Sequence, residues 1–297
     1  MSPKIQTDNA AAAAELAGQV PSTRPTLSET SASYRLAFED PDFIERPEAR
    51  GIRFQLELLK ADLILRENQV DHTIVVFGSA RFVSREDAEH LVSQAVTDEE
   101  KSRAQSALIN STHYESAREF GQLAATYNLQ QLSPTKRLHI CTGGGPGVMA
   151  AANRGAHETG DLSIGLNITL PHEQHPNQYL TPALCFRFHY FALRKMHFLL
   201  RARAIVAYPG GYGSFDEIFE VLTLVQTRKI LPMPVVLVGR EFWKKIVRFD
   251  LLAEYGLIDP TDLDIISFVD SAEDAWKAIA RWYQLDQSDN GRAQARL

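Results

Sequence analysis

Three glycine-containing turns, a Ser-x-x-Glu run and an Arg-Lys pair are the parts of this 297-residue sequence best equipped for chemistry. The turns are Phe77-Gly78-Ser79-Ala80-Arg81, Thr142-Gly143-Gly144-Gly145-Pro146-Gly147 and Pro209-Gly210-Gly211-Tyr212-Gly213-Ser214. Each follows a run that reads as a strand, and the second and third lead into helical patterns. Glycine lets backbone N–H groups approach an anion closely, and a helix N-terminus adds a favourable dipole. Three such turns on one sheet edge point to a phosphate-bearing ligand. Any one of them alone is equally well a packing feature. Neither Gly-rich run is a P-loop, which ends in Gly-Lys-Ser/Thr. The run from Gly143 has Met149 and Ala150 where a dinucleotide fingerprint needs its third glycine, so a dinucleotide cofactor is not the first choice.

Two readings of Glu217 stand side by side. Ser214-Phe215-Asp216-Glu217 fits a capping box, in which the carboxylate does no more than close the first turn of its own helix. Alternatively, Arg194 and Lys195 in the preceding helical pattern bring cations to the same crevice. A carboxylate and a guanidinium beside phosphate-binding turns form a site for cleaving the glycosidic bond of a nucleotide. The carboxylate would stabilise positive charge developing on the ribose ring and orient or deprotonate a water. The run Pro171-His172-Glu173-Gln174-His175-Pro176 is not HExxH, and its prolines prevent a continuous helix. It reads as a loop lining the site rather than as zinc ligands, and no metal or other cofactor is expected.

The elements that must position these groups begin at residue 73. Strand patterns at Thr73–Phe77, Leu138–Cys141, Ser163–Ile168, Leu184–Phe188, Ala204–Ala207, Val235–Val238 and Ile265–Val269 alternate with helical patterns at about 114–127, 147–158, 190–202, 215–228, 241–255 and 272–284. Such alternation gives an α/β fold, a doubly wound Rossmann-like parallel sheet with helices on both faces. In such an open sheet the three turns gather in one crevice at the carboxyl ends of the strands. Residues 1–35 and 286–297 read as tails, and 36–72 as an N-terminal helical extension with an amphipathic helix from Ile52. Residues 73–285 form the main domain, with 84–112 an insertion on its first crossover. Trp243, Trp276 and Trp282 read as packing residues.

Composition narrows the class further. The chain is 44% hydrophobic and 23% charged, ordinary for a globular protein. Lys plus Arg is 31 against 37 for Asp plus Glu, a net charge of −6 that argues against nucleic acid as the main partner. No apolar run reaches the roughly 20 residues of a membrane span. Cys141 and Cys185 are isolated, with no CxxC, which fits a reducing compartment. A cytoplasmic location is expected.

The run Pro209-Gly210-Gly211-Tyr212-Gly213-Ser214-Phe215-Asp216-Glu217 resembles the PGGxGTxxE signature of the LOG family, the cytokinin riboside 5′-monophosphate phosphoribohydrolases, often labelled lysine decarboxylases. Arg194-Lys195 resembles the family's upstream Arg-Lys pair. Gly143-Gly144-Gly145-Pro146-Gly147-Val148-Met149 resembles its GGGxxGLM segment, Gly78-Ser79 its first turn, and Leu170-Pro171-His172-Glu173 its Pro-x-Glu stretch. The similarity spans about Thr73 to Phe249. Ser214 stands where the signature has Thr and keeps the hydroxyl.

The resemblance implies hydrolysis of a nucleoside 5′-monophosphate, AMP or an N6-modified AMP, to free base and ribose 5-phosphate. It implies Glu217 and Arg194 as the catalytic pair. It implies substrate contacts from Gly78, Ser79, Gly144, Gly145, Glu173, Lys195, Gly210, Gly211, Tyr212, Gly213, Ser214 and Asp216. A homodimer or higher homo-oligomer is implied too, with Gln226 a candidate for the interface. Two other readings are carried. One is a pyridoxal-phosphate decarboxylase with its Schiff base on Lys195. The other is a non-catalytic nucleotide or molybdenum-cofactor carrier on the same fold.

Overall fold

The computed structural model describes residues 32–170 and 175–285. Of the expected tails 1–35 and 286–297, all but residues 32–35, where Ala32–Tyr34 forms a 3-10 turn, lie outside the described residues, as does the candidate contact Glu173. The chain divides into two units, Met1–Arg53 and Phe54–Leu297. The described part of the first holds short 3-10 turns and one four-residue helical turn, Pro41–Ile44, which Asp40 starts by accepting a bond from the Phe43 N–H at 3.3 Å.

The second unit holds a seven-stranded sheet. Its strands are β1 (Thr73–Phe77), β2 (His139–Thr142), β3 (Ser163–Ile168), β4 (Cys185–Phe188), β5 (Ala202–Ala207), β6 (Val235–Val238) and β7 (Ile266–Val269). Their order is β4-β3-β2-β1-β5-β6-β7, and every neighbouring pair is parallel. The chain steps outward from β1 to β4, then crosses back to lay β5 beside β1, pairing Phe77 with Ala207. That β1/β5 seam is the topological switch point, where open α/β sheets place their ligands.

Helices cover both faces: α1 (Arg50–Glu67), α2 (Arg85–Gln94), α3 (Asp98–Gln130), α4 (Val148–Thr159), α5 (Phe191–Leu200), α6 (Tyr212–Gln226), α7 (Arg240–Ile246), α8 (Phe249–Glu254) and α9 (Ala272–Tyr283). Alternate strand residues feed two separate cores. Val75, Phe77, Ile205 and Leu237 pack with α1, α5 and α6; Ile74, Val76, Val206 and Val236 pack with α3, α4 and α9. Burial on both faces is why the strands read as near-continuous apolar runs and are legible without an alternating pattern. Within this unit α1 docks through Ala61 and Leu65, and Asp62 accepts a 2.7 Å ion-paired hydrogen bond from Arg201 at the end of α5.

On the first crossover, the stretch 84–112 read as an insertion is mostly helical. The pattern at 114–127 is only the inner half of a 33-residue helix, α3, which starts at Asp98. Thr97 and Glu100 form a reciprocal capping box there, the Thr97 Oγ1 accepting from the Glu100 N–H at 3.2 Å and the Glu100 carboxylate from the Thr97 N–H at 2.9 Å. The segment is therefore helix α2 plus the outer turns of the crossover helix. Its exposed polar surface hides the helical period.

Candidate active site

The carboxyl ends of β1, β2, β5, β6 and β7 border a cleft of about 1370 Å³. The turn after β5 forms its centre. The Tyr208 N–H donates to Phe77 O at 2.9 Å and the Ser79 N–H to Pro209 O at 3.0 Å, stitching the β1 and β5 turns together. Gly210 is glycine for space: a Cβ there would lie 2.1 Å from Ser214 Oγ. Among the described residues, none of the N–H groups of Gly210, Gly211, Tyr212 and Gly213 has a backbone acceptor. Two of them open helix α6, so they present unsatisfied donors and the positive end of a helix dipole to the cleft. Such an arrangement of donors is suited to an anion.

The capping reading of Glu217 does not hold. Helix α6 starts at Tyr212, its N-cap is Gly211, and no side chain caps it. Ser214 lies inside the first turn, so Glu217 stands one turn further along the helix, lining the cleft and only 7% exposed. Burial pushes its carboxyl up to about 7, with Lys195 and Arg194 pulling it down and Glu220 and Asp216 adding to the rise. No described residue hydrogen-bonds its carboxylate among the bonds of the site. A buried carboxyl titrating near neutrality is suited to act as a general base or to stabilise a developing cation.

Arg194 comes from α5 and also lines the cleft. Its Nε donates to Leu166 O at 2.7 Å, and its guanidinium lies 5.0 Å over the Phe198 ring. On another side it rests against the turn after β2: a Cβ on Gly143 would be 2.6 Å from one Nη and 2.9 Å from Met149 Sδ. Backbone carbonyl, aromatic face and glycine thus fix the planar cation beside Glu217.

Of the residues anticipated from sequence, the cleft brings together Gly78, Ser79, Gly210, Gly211, Tyr212, Gly213, Ser214, Asp216, Glu217 and Arg194. Three others are placed differently. Lys195 does not line the cleft: its ammonium bonds Asp216 Oδ1 at 2.9 Å and Glu220 Oε2 at 2.8 Å. Those bonds outweigh its burial and raise its pKa. Adjacent residues on a helix point about 100° apart, and here Arg194 faces the cleft while Lys195 turns to Asp216 and Glu220. Gly144 and Gly145 are buried beneath the turn, with their carbonyls taken up by Asn177, and only Gly143 of that run reaches the cleft.

Sequence reasoning missed Phe82, Asn110, His113 and Phe191, which also line the cleft. Phe82 and His113 stack with ring centroids 5.7 Å apart, and burial lowers the His113 pKa. Asn110 and His113 share one face of α3 at spacing three. No motif marks them, and Asn110 sits on the stretch read as an insertion. Among the described residues no group of three His, Cys, Asp or Glu side chains is arranged to hold a metal, and no helix is long and apolar enough to cross a membrane.

Comparison with known proteins gives the following. Residues 149–279 match the family described as possible lysine decarboxylase. The chain is 29% identical over 154 residues to the cytokinin riboside 5′-monophosphate phosphoribohydrolase LOG3 of Arabidopsis thaliana, covering 50% of this chain and 69% of that protein. It is 35% identical over 88 residues to LOG1, of the same description and organism, covering 29% of this chain and 41% of that protein. Among solved structures it matches the molybdenum cofactor carrier protein of Chlamydomonas reinhardtii at TM-score 0.45 and 19% identity, over 73% of this chain and 99% of that one. The molybdenum cofactor binding protein of Rippkaea orientalis matches at TM-score 0.42 and 19% identity, over 71% and 97%.

Proposed function

We propose that the chain is a LOG-family enzyme that hydrolyses the N-glycosidic bond of nucleoside 5′-monophosphates. The observation that carries this reading is Glu217, a buried carboxyl raised to about 7, set beside Arg194 one helical turn from an anion seat. The 5′-phosphate occupies the N–H groups at the start of α6 and the Gly78-Ser79 turn. The ribose then reaches toward Glu217. The C1′–N bond breaks with its electron pair going to the base. Glu217, ionised, stabilises the cationic ribose and takes a proton from the water that bonds to C1′. The proton that Glu217 takes from the water passes on to the departing base, which restores the carboxylate and completes the products, free base and ribose 5-phosphate. Arg194 contacts the substrate and holds Glu217 in place.

The family label of lysine decarboxylase finds no support in the lysine anticipated for it. A pyridoxal-phosphate Schiff base needs a lysine amine within the site. Lys195 is held by two carboxylates, outside the cleft lining.

The test is a screen of the common nucleoside monophosphates and N6-modified AMP, with free base measured by chromatography. Base release from at least one of them, lost in Arg194→Ala and Glu217→Ala proteins that remain folded, is expected. A nucleotide complex that releases no base would instead favour a carrier. The pH dependence follows from the direction of the Glu217 shift. Because the carboxylate is the working form, kcat/KM rises as pH passes upward through about 7. Lys195→Ala removes a cation that pulls this pKa down, so it moves the rise to higher pH. A flat kcat/KM between about pH 5.5 and 8.5 would exclude Glu217 as the titrating base.

A further inference from the structure

Asn177 lies in the loop between β3 and β4, outside the cleft lining, yet it makes more polar contacts than any catalytic candidate. Its Nδ2 donates to Gly144 O at 3.1 Å, Gly145 O at 3.0 Å and Asn153 Oδ1 at 3.0 Å, and its backbone N–H donates to Gly144 O at 2.9 Å. The amide orientation is fixed by chemistry. Three oxygens surround one end, while the other, Oδ1, accepts from the Tyr179 N–H at 3.1 Å.

Behind it stands a closed buried network. Thr142 Oγ1 donates to Asn153 Oδ1 at 2.6 Å and accepts from the Gly144 N–H at 2.9 Å, and Asn153 Nδ2 donates to Ser163 Oγ at 2.7 Å. Thr142 and Asn153 are fully buried, so these bonds hold in a low-dielectric setting. The network leaves the Gly143–Gly145 turn one conformation. The outer surface of that turn, at Gly143, is the wall against which the Arg194 guanidinium rests.

We infer that Asn177 is a positioning residue: it clamps the Gly143–Gly145 turn and thereby sets the seat of Arg194. The inference rests on the function proposed above only for its kinetic arm. Without the amide, the carbonyls of Gly144 and Gly145 lose a shared donor, and the turn relaxes away from the cation. Misplacing a catalytic group by about 1 Å costs on the order of a hundredfold.

Asn177→Ala is the direct test, with Asn177→Ser, which keeps one donor, as a milder partner. With AMP as substrate, Asn177→Ala lowers kcat by about 30- to 100-fold with KM within about twofold, and Asn177→Ser falls between it and the parent. In an Arg194→Ala background the same change lowers the remaining kcat by less than about threefold, because the group it positions is gone. An equal loss in both backgrounds, or an unchanged kcat in Asn177→Ala, overturns the inference. A second readout needs no turnover. In protein labelled with 15N-arginine, the Arg194 Nε–H, assigned with Arg194→Lys, exchanges slowly because it is bonded to Leu166 O. Asn177→Ala accelerates that exchange by about tenfold or more, taking the release of one hydrogen bond as about 1.4 kcal/mol. An unchanged rate contradicts the inference even if no nucleotide is hydrolysed, whereas acceleration in a protein inactive on every nucleotide sinks the proposed function and leaves the clamp standing.

Discussion

Glu217→Gln stops nucleotide turnover, by a factor on the order of a thousand, and leaves a protein more stable than its parent above pH 7. Both effects have one cause. Burial raises the carboxyl from its ordinary 4.5 to about 7 in the folded chain. Below 4.5 the group is protonated in folded and unfolded chains alike and costs nothing. As pH rises toward 7 the unfolded chain ionises first, and stability is lost up to the folded pKa and stays lost beyond it. At about 1.4 kcal/mol per pH unit, that cost is on the order of 3 kcal/mol at pH 8. Glutamine is neutral and escapes it. Urea unfolding of both proteins at pH 5 and pH 8 checks the claim: the advantage of the variant grows with pH. A variant that is less stable at pH 8 would mean that the carboxylate is rewarded in the fold rather than strained. Full turnover would reduce Glu217 to a structural residue.

The second large effect belongs to a single methyl group. Gly143→Ala puts a Cβ 2.6 Å from an Arg194 Nη and 2.9 Å from Met149 Sδ. Both clashing atoms are the ends of flexible side chains, and the positive-φ glycines do not include Gly143. The backbone therefore accepts alanine and the guanidinium gives way. Turnover falls by about a hundredfold while the thermal midpoint moves little. Circular-dichroism melting and AMP turnover measured together distinguish this from unfolding. A melt lowered in proportion to activity, or wild-type turnover, would show that Arg194 is not seated on this glycine.

Much of this site is legible in the residues themselves. β1, β3 and β6 match the expected runs residue for residue; β1 and β6, buried on both faces, are almost wholly apolar and end where a glycine begins. The turns after β1 and β5 meet as anticipated because the switch point leaves them no other place. Two capping boxes show where local reading fails. Thr97-x-x-Glu100 is a real box, lying in a stretch read as an insertion. Ser214-x-x-Glu217 has the same form but caps nothing, since the path out of β5 starts the helix three residues earlier than the box requires, at Tyr212. Local sequence cannot distinguish them; what decides is where the chain leaves the sheet. The same holds for Lys195, whose neighbour reaches the cleft while it turns to Asp216 and Glu220. Asn177 carries no motif at all. Its importance is visible only once the carbonyls it gathers are in place.

The most direct measurement incubates the purified protein with AMP and, separately, with adenosine, and quantifies adenine and ribose 5-phosphate together. The anion seat at the start of α6 and the Glu217–Arg194 pair require equimolar adenine and ribose 5-phosphate from AMP, with release from adenosine slower by about a thousandfold for want of the phosphate that positions the ribose. AMP recovered intact from a saturated complex, or equal cleavage of adenosine, would contradict the account.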